Sequence, residues 1–475
     1  MILCQKIATR LRGTTSIRSG LAKTDSRAFS RSAAGLFNAA LIPTLPSVMT
    51  KKGRCGLIFL GSFSAILILG ALLWWRAHQE SRLVSSLPSR EVFVDSTAYE
   101  LQALTPLVPE LPSGVKELGR VAWEGEAQDI AFDAKDSTDA KFDVYLMSDA
   151  GGAVSCISCD VPELEGRNVG NPAWDPSGRW LLVQVENESH SHGEIALPIL
   201  VADPSYPGFG VSSSLWVYDT ETERFHSLYE IDGENGIGTL HPHFSHSGDQ
   251  VTWTRLVGSE GCMGDMEIMV ADFKSMPEPR LENIRSLATG MKGEQRFFET
   301  QDFQQTDILA ACTPEPGQEH HFMDLCTADT RTGRLERLTR RSGQGAEPGS
   351  WEEHAKFIND QTLMYVSSRG YPSPIEECEI ASAEFMKWLK TDVYIQDLSA
   401  LDSAPERITF FNEPGHEMDC DCSNALASDF SWNERRQSAV IFVQYLNWPR
   451  YLPFPIGFDA RYFILKLGSQ HDENS

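Results

Sequence analysis

WDPSGRWLLV, residues 174–183, places an aromatic before a short polar turn and follows it with an apolar run of β character. The same order returns in FSHSGDQVTW from Phe244 and WEGEAQDIAF from Trp123. Looser copies are FQQTDILAA from Phe303, FINDQTLMYV from Phe357 and WNERRQSAVIF from Trp432. A recurrence at fixed order signals a repeat architecture, and six copies are visible.

After each copy comes a second apolar run that usually closes on Asp. The runs are FDVYLMSD to Asp149, LWVYD to Asp219, EIMVAD to Asp272, LCTAD to Asp329 and DVYIQD to Asp397. A third run follows, as in RFHSLYEI, NIRSLAT, RLERLT and PERITFF. Each unit therefore reads as four short strands, A to D, with a tight A-to-B turn. One such sheet has two open edges and an unburied apolar face, so it needs neighbours stacked around an axis. The expected fold is all-β, a six-bladed β-propeller of four-stranded antiparallel blades. The anchor aromatics lie 51 to 75 residues apart, which is wide for one blade and implies long inserted loops. The last unit ends on its C strand, RYFILKL, so an upstream strand is expected to complete it, with EVFVDS from Glu91 as the candidate.

PAWDPSGRWLLV and HPHFSHSGDQVTW resemble the repeat of TolB-type (WD40-like) β-propellers, which also occurs in the propeller domains of prolyl oligopeptidases. The resemblance spans roughly residues 118–467. It implies a six-bladed ring and, from TolB itself, a periplasmic protein that binds partner proteins. The sequence departs from TolB in keeping a candidate membrane anchor and in leaving no room for TolB's N-terminal α/β domain. It departs from prolyl oligopeptidases in having no G-x-S-x-G nucleophile elbow and no hydrolase domain after the last blade.

The N-terminal region is of a different kind. Residues 55–75, CGLIFLGSFSAILILGALLWW, carry no charge over 21 residues, close to the roughly 20 that a helix needs to cross a bilayer. Lys51, Lys52 and Arg54 precede this run, and Trp74, Trp75 and Arg76 close it. That pattern predicts a single N-terminal transmembrane signal anchor with its N-terminus cytoplasmic and the rest of the chain periplasmic or extracellular. The expected organisation is a basic cytoplasmic or misassigned segment over 1–54, the anchor over 55–75, a stalk with a possible ring-closing strand over 76–117, the propeller over 118–467 and a polar tail over 468–475. Residues 1–48 read as a start placed too early, with Met49 the true one, or as a cytoplasmic arm; a transit peptide is the alternative.

The whole chain of 475 residues carries −25. Residues 77–475 hold 30 basic and 65 acidic side chains, a net of −35. Such a surface excludes nucleic acid as the main partner and favours cationic partners or divalent ions.

In the four-strand scheme the B-to-C and D-to-A connections open on one face. His190 and His192 fall in the second B-to-C loop and His320 and His321 in the fourth. His241 and His243 begin the A strand of the third blade, His354 begins that of the fifth, and His416 precedes the sixth. Strand A is innermost, so His241, His243 and His354, with Glu352 and Glu353, are the ligand-binding candidates at the channel mouth. Imidazole with carboxylate suits Zn, Mn or Fe, and the three histidines are the candidate metal ligands. Oligogalacturonate lyases, which also use a propeller, hold a metal through a histidine cluster in a comparable place, and this supplies an enzyme reading by analogy. The alternative is that long loops simply collect polar residues of every kind. No cofactor is certain, and no strong catalytic motif is present.

Eight cysteines follow the anchor: Cys156, Cys159, Cys262, Cys312, Cys326, Cys378, Cys420 and Cys422. An even number in an exported domain reads as disulfides, and CISC with CDC as a four-thiolate zinc site is the competing reading. Two functions remain: a membrane-anchored scaffold that binds an envelope protein or small ligand at its long-loop face, or a metal-dependent lyase or hydrolase centred on the histidines.

Overall fold

The computed structural model describes residues 99–469 apart from 126–128, 138–139, 188–206, 232–237, 258–265, 288–297, 313–322, 340–349, 372–386, 402, 421 and 449–456. All belong to the compact unit of residues 68–475. Among them no helix is long and apolar enough to cross a membrane; the expected anchor, residues 55–75, lies outside the described residues, as do His190, His192, His320, His321, Cys262 and Cys378.

Two short strands, β1 (Tyr99–Leu107) and β2 (Pro109–Glu110), precede the blades. Blade 1 is β3 (Val115–Trp123), β4 (Asp129–Asp136), β5 (Phe142–Ser148) and β6 (Gly152–Cys156). Blade 2 is β7 (Val169–Trp174), β8 (Trp180–Glu186), β9 (Ser213–Asp219) and β10 (Arg224–Tyr229). Blade 3 is β11 (Gly238–Phe244), β12 (Gln250–Leu256), β13 (Met266–Lys274) and β14 (Arg280–Leu287). Blade 4 is β15 (Phe298–Gln304), β16 (Asp307–Cys312), β17 (Asp324–Asp329) and β18 (Leu335–Arg337). Blade 5 is β19 (Glu352–Asn359), β20 (Thr362–Ser367), β21 (Asp392–Asp397) and β22 (Glu406–Arg407). Blade 6 is β23 (Asn424–Asn433), β24 (Ser438–Asn447) and β25 (Gly457–Ser469), with β1 as its outer strand.

The protein is thus an all-β, six-bladed propeller of antiparallel blades. Its six first strands touch in a closed cycle, β3–β7–β11–β15–β19–β23 and back to β3. An upstream strand does complete the last sheet, but it is Tyr99–Leu107, which pairs with Tyr462–Ser469; residues 91–96, the expected donor, lie outside the described residues. β2 then adds in parallel to β6, so one short segment covers the outer edges of both blades at the seam.

The repeat has physical reasons. Strands B and C are buried on both faces, and the cores lie between consecutive sheets. Leu181, Val183 and Val144 pack between blades 1 and 2, and Trp253, Val251 and Leu215 between blades 2 and 3. The seam holds Phe132, Val440 and Tyr462. Each such side chain contributes about 1.5–3 kcal/mol by leaving water. The recurring Asp at the end of strand C closes the C-to-D turn: Asp219 accepts from the Glu221 N–H at 3.1 Å, Asp329 from Thr332 at 2.8 Å and Asp397 from Ser399 at 2.8 Å. An Asp side chain can mimic a backbone turn in this way.

Polar side chains stitch each blade to the next. Asp133 accepts from the Asn171 N–H at 2.6 Å between blades 1 and 2, and Gln184 donates to the Thr239 carbonyl between blades 2 and 3. Thr254 donates to the Phe298 carbonyl at 2.9 Å between blades 3 and 4. Asp302 accepts from the Phe357 N–H at 2.9 Å between blades 4 and 5, and Asn424 donates to the Leu389 carbonyl at 3.0 Å between blades 5 and 6. At the seam Asp429 accepts from the Val121 N–H at 3.1 Å and Asn433 donates to the Glu124 carbonyl at 2.9 Å.

Cys156 is bonded to Cys159 and Cys420 to Cys422. CISC and CDC therefore each close on themselves instead of meeting in one four-thiolate site. Cys312 and Cys326, expected among the disulfide candidates, are buried thiols. They sit in β16 and β17 within the apolar cluster between blades 3 and 4, where they act as small apolar side chains.

Candidate functional site at the channel waist

Every innermost strand breaks its register. The shifts fall at Leu118/Val121, Gly170/Ala173, Leu240/His243, Thr300/Asp302, Glu353/Lys356 and Ala427/Phe430. A bulge adds unpaired residues and re-aims their side chains. Three of the bulged residues take the left-handed conformation that non-glycine residues avoid: Asn171 at φ 53°, His241 at 46° and His354 at 49°. Backbone strain of this kind concentrates at functional sites.

The bulges place Arg120 from blade 1, His241 from blade 3, Gln301 from blade 4, His354 from blade 5 and Asp429 from blade 6 around the axis. At blade 1 the bulge needs Gly119, because a Cβ there would lie 1.7 Å from Asp133 Oδ1. That carboxylate must approach so closely to accept the Arg120 N–H at 3.1 Å.

His241 and His354 are 2% and 8% exposed, so they line a buried waist below the mouth at which they were expected. Their rings are 6.0 Å apart. His241 Nδ1 is paired with Glu299. His354 lies between Glu353, 3.6 Å from Nε2, and Asp429, 3.7 Å from Nδ1. Arg120 reaches His354 Nδ1 at 3.4 Å and Asp429 at 3.7 Å. His243, partly open to the channel, meets Lys356 Nζ at 3.3 Å, and Lys356 also donates to the Gln301 carbonyl. Glu353 accepts from the Trp351 indole at 2.7 Å. Glu352 is buried at the start of the same strand, where it accepts from the Ser350 hydroxyl at 3.1 Å.

Electrostatics follow from burial and these neighbours. Burial, reinforced by Arg120 and His354, holds His241 well below the ordinary imidazole range. Burial and then Lys356 push His243 down to about 3. Both imidazoles are therefore neutral at pH 7. Burial and the Glu353 charge push Glu299 well up. Burial acts the same way on Glu353, but His354, the hydrogen bond with Glu299 and Arg120 outweigh it and hold the group below its ordinary value. Burial and mutual repulsion thus disfavour two charges on this carboxyl pair. Asp429 is burdened by burial, yet its hydrogen bond with His354 and the charge of Arg120 bring it down to about 2. Burial raises Asp133 to about 7 against its backbone hydrogen bonds.

Glu299 Oε1 faces His241 Nδ1, so in the neutral ring Nδ1 carries the hydrogen that Glu299 accepts and Nε2 carries a bare lone pair. His241 Nε2 and Gln301 Nε2 are buried and make no hydrogen bond within the described protein. The waist therefore offers one acceptor and one donor to a polar ligand. Each of the three expected metal ligands is held by a different partner, and Lys356 and Arg120 stand beside His243 and His354. Among the described residues, the grouping with three His, Cys, Asp or Glu ligand atoms mutually within 4.8 Å is Asp143, Cys156 and Cys159. A groove lined by Leu101, Leu104, Phe411, Met418 and Tyr445 lies elsewhere, on the outer side of blade 6.

Sequence reading found the histidines but missed Arg120, Glu299, Gln301, Asp302, Lys356 and Asp429. One signal was available. Arg120, Asn171, His241, His354 and Asp429 each stand three residues before the anchor aromatic of their blade.

No family model matches the chain, and no curated protein matches it. Solved structures similar to it include a prolyl endopeptidase (13% identity, 76% of this chain and 43% of that one, TM-score 0.40) and a puromycin hydrolase variant complexed with PGG (12%, 76% and 51%, 0.41). Another is the β-propeller domain of the Trilobed protease from Pyrococcus furiosus (11%, 69% and 79%, 0.36). The chain spans about half the length of the first two.

Proposed function

We propose that the protein is a membrane-anchored, extracytoplasmic binding scaffold that engages an envelope protein or small ligand at its long-loop face. The observation that carries this reading is the asymmetry of the two faces. Tight A-to-B turns such as Asp175–Arg179 and Ser245–Asp249 close one face. On the other the B-to-C connection runs from residue 187 to 212 in blade 2 and from 368 to 391 in blade 5. Two exposed large apolar side chains, Phe209 and Val257, stand on that long-loop face in neighbouring blades, and loops there carry acids such as Asp160, Glu163 and Glu165. Residues 55–75 supply the anchor, and the acidic surface favours a cationic partner.

The test is affinity capture from solubilised membranes with the full chain. Replacing Asp160, Glu163 and Glu165 with Asn or Gln, together with Phe209→Ser, is expected to weaken capture of a specific partner. Unchanged recovery of every partner after these changes contradicts the reading. The competing metal-dependent lyase or hydrolase at His241, His243 and His354 is separated by elemental analysis: about one equivalent of Zn, Mn or Fe, lost on changing His243 and His354 to Ala, favours it over the scaffold.

A further inference from the structure

We propose that Cys156, Cys159 and Asp143 form a redox-gated site for a thiophilic divalent cation such as Zn²⁺ at the corner of blade 1. Cys156 ends β6 and Asp143 begins β5, so the site opens on the long-loop face. Their ligand atoms lie within 4.8 Å of one another, and Cys159 is exposed while Asp143 and Cys156 are half-buried. In the bridged form the sulfurs are spent on each other and no ion is held.

Two features fit the pair to the open form. The Cys159 N–H donates to Cys156 Sγ at 3.1 Å, and the Tyr145 hydroxyl lies 3.8 Å from Cys159 Sγ. The backbone donor aimed at Cys156 Sγ favours its thiolate, the form that binds metal. Asp143 is oriented in turn: the Ser158 hydroxyl donates to it at 2.6 Å and accepts from the Val144 N–H at 3.0 Å. Such a second layer fixes a ligand's direction. The acids of the following loop, Asp160, Glu163 and Glu165, add cation attraction.

The chemistry balances with a dithiol as reductant. A reductant thiolate attacks the exposed Cys159 sulfur and breaks the Cys156–Cys159 bond, leaving Cys156 as thiolate. The second reductant thiol then releases Cys159 and leaves as a cyclic disulfide, so two electrons and two protons pass to the protein. The cation binds both sulfurs and displaces those protons, Asp143 supplies an oxygen, and a fourth position stays open for water or a ligand, as tetrahedral zinc requires. The site stands independently of the partner reading above.

The experiment uses the full chain in detergent, reduced with dithiothreitol, freed of reductant without air and titrated with Co²⁺. The expected result is a thiolate-to-cobalt absorption that saturates at one ion per chain and is displaced by Zn²⁺. It is absent from the unreduced protein and from the Cys156→Ser/Cys159→Ser double variant, and is retained in Cys420→Ser/Cys422→Ser. Asp143→Asn, which leaves both thiols and the fold in place by thermal melt, is expected to weaken binding by at least the roughly 10–100-fold that loss of an outer-layer partner costs. No absorption in the reduced wild type, absorption that survives the double variant, binding to the unreduced protein, or unchanged affinity in Asp143→Asn each overturns the proposal.

Discussion

The blade bodies and the channel waist are built from the same strands on opposite terms. In the bodies, strands B and C repeat an apolar pattern, and Trp253, Phe132 and Leu181 are fully buried between sheets. At the waist, the A strands abandon their register, and the residues left over are polar, charged or strained, with histidine recurring in blades 3 and 5 and other types elsewhere. The repeat specifies architecture, and departures from the repeat specify the site. In the bodies hydrophobic burial dominates stability; at the waist, paired desolvation and Coulomb terms nearly cancel and leave chemistry.

The sharpest way to separate the two is to damage one alone. Trp253→Ala empties a body position that is 0% exposed, and about 3–5 kcal/mol of unfolding free energy should be lost in denaturant titration, with partner capture retained by the fraction that stays folded. Gly119→Ala strikes where the regions meet. Its Cβ would collide with the Asp133 carboxylate, so a loss of about 2–3 kcal/mol is expected, although the change adds one methyl to an A strand and removes no apolar contact. A loss below 0.5 kcal/mol, the scale of a surface substitution, would show that Asp133 does not pin the bulge.

The smallest effect is a slope. Between about pH 4.5 and 6.5, His241 and His243 stay neutral in the folded state but protonate when unfolded, so acid destabilises the fold through them. Glu299 and Asp133 act oppositely: their raised values make the folded state bind protons that the unfolded state releases. At the waist the two histidines and the two carboxyls therefore pull stability in opposite directions in this window. His243→Gln removes one destabilising contribution, so relative to the wild-type slope, to which buried Asp392 also contributes, unfolding free energy should gain up to about 1.4 kcal/mol for each pH unit of acidification. Asp133→Asn should change the slope relative to wild type by a similar amount in the opposite sense. Urea melts across the window read both.

Most of the fold was legible because its code is local. An aromatic, a turn and an apolar run lie within ten residues, and all six anchors, Trp123, Trp174, Phe244, Phe303, Phe357 and Trp432, lie within two residues of the ends of A strands. Ring closure was half legible: the missing outer strand of blade 6 announced a donor, but Tyr99–Leu107 is mixed in polarity and reads as a strand only once paired to β25. The waist was the hardest part. His241, His243 and His354 stood out as rare residues, whereas Arg120, Lys356 and Asp429 are common charges whose convergence depends on bulges in strands more than 50 residues apart. The cysteine pairing followed the same rule, with bonds two and three residues apart closing locally and Cys312 and Cys326 becoming core.

Under the proposed scaffold function, the long-loop face binds a partner and the turn face does not. A photoreactive residue at Val257, 41% exposed at the end of β12 on the long-loop face, should form discrete protein adducts in intact cells, and one at Thr332, in the C-to-D turn of blade 4 on the opposite face, should form none. Adducts from Thr332 alone, or equal adducts from both positions, would contradict the account.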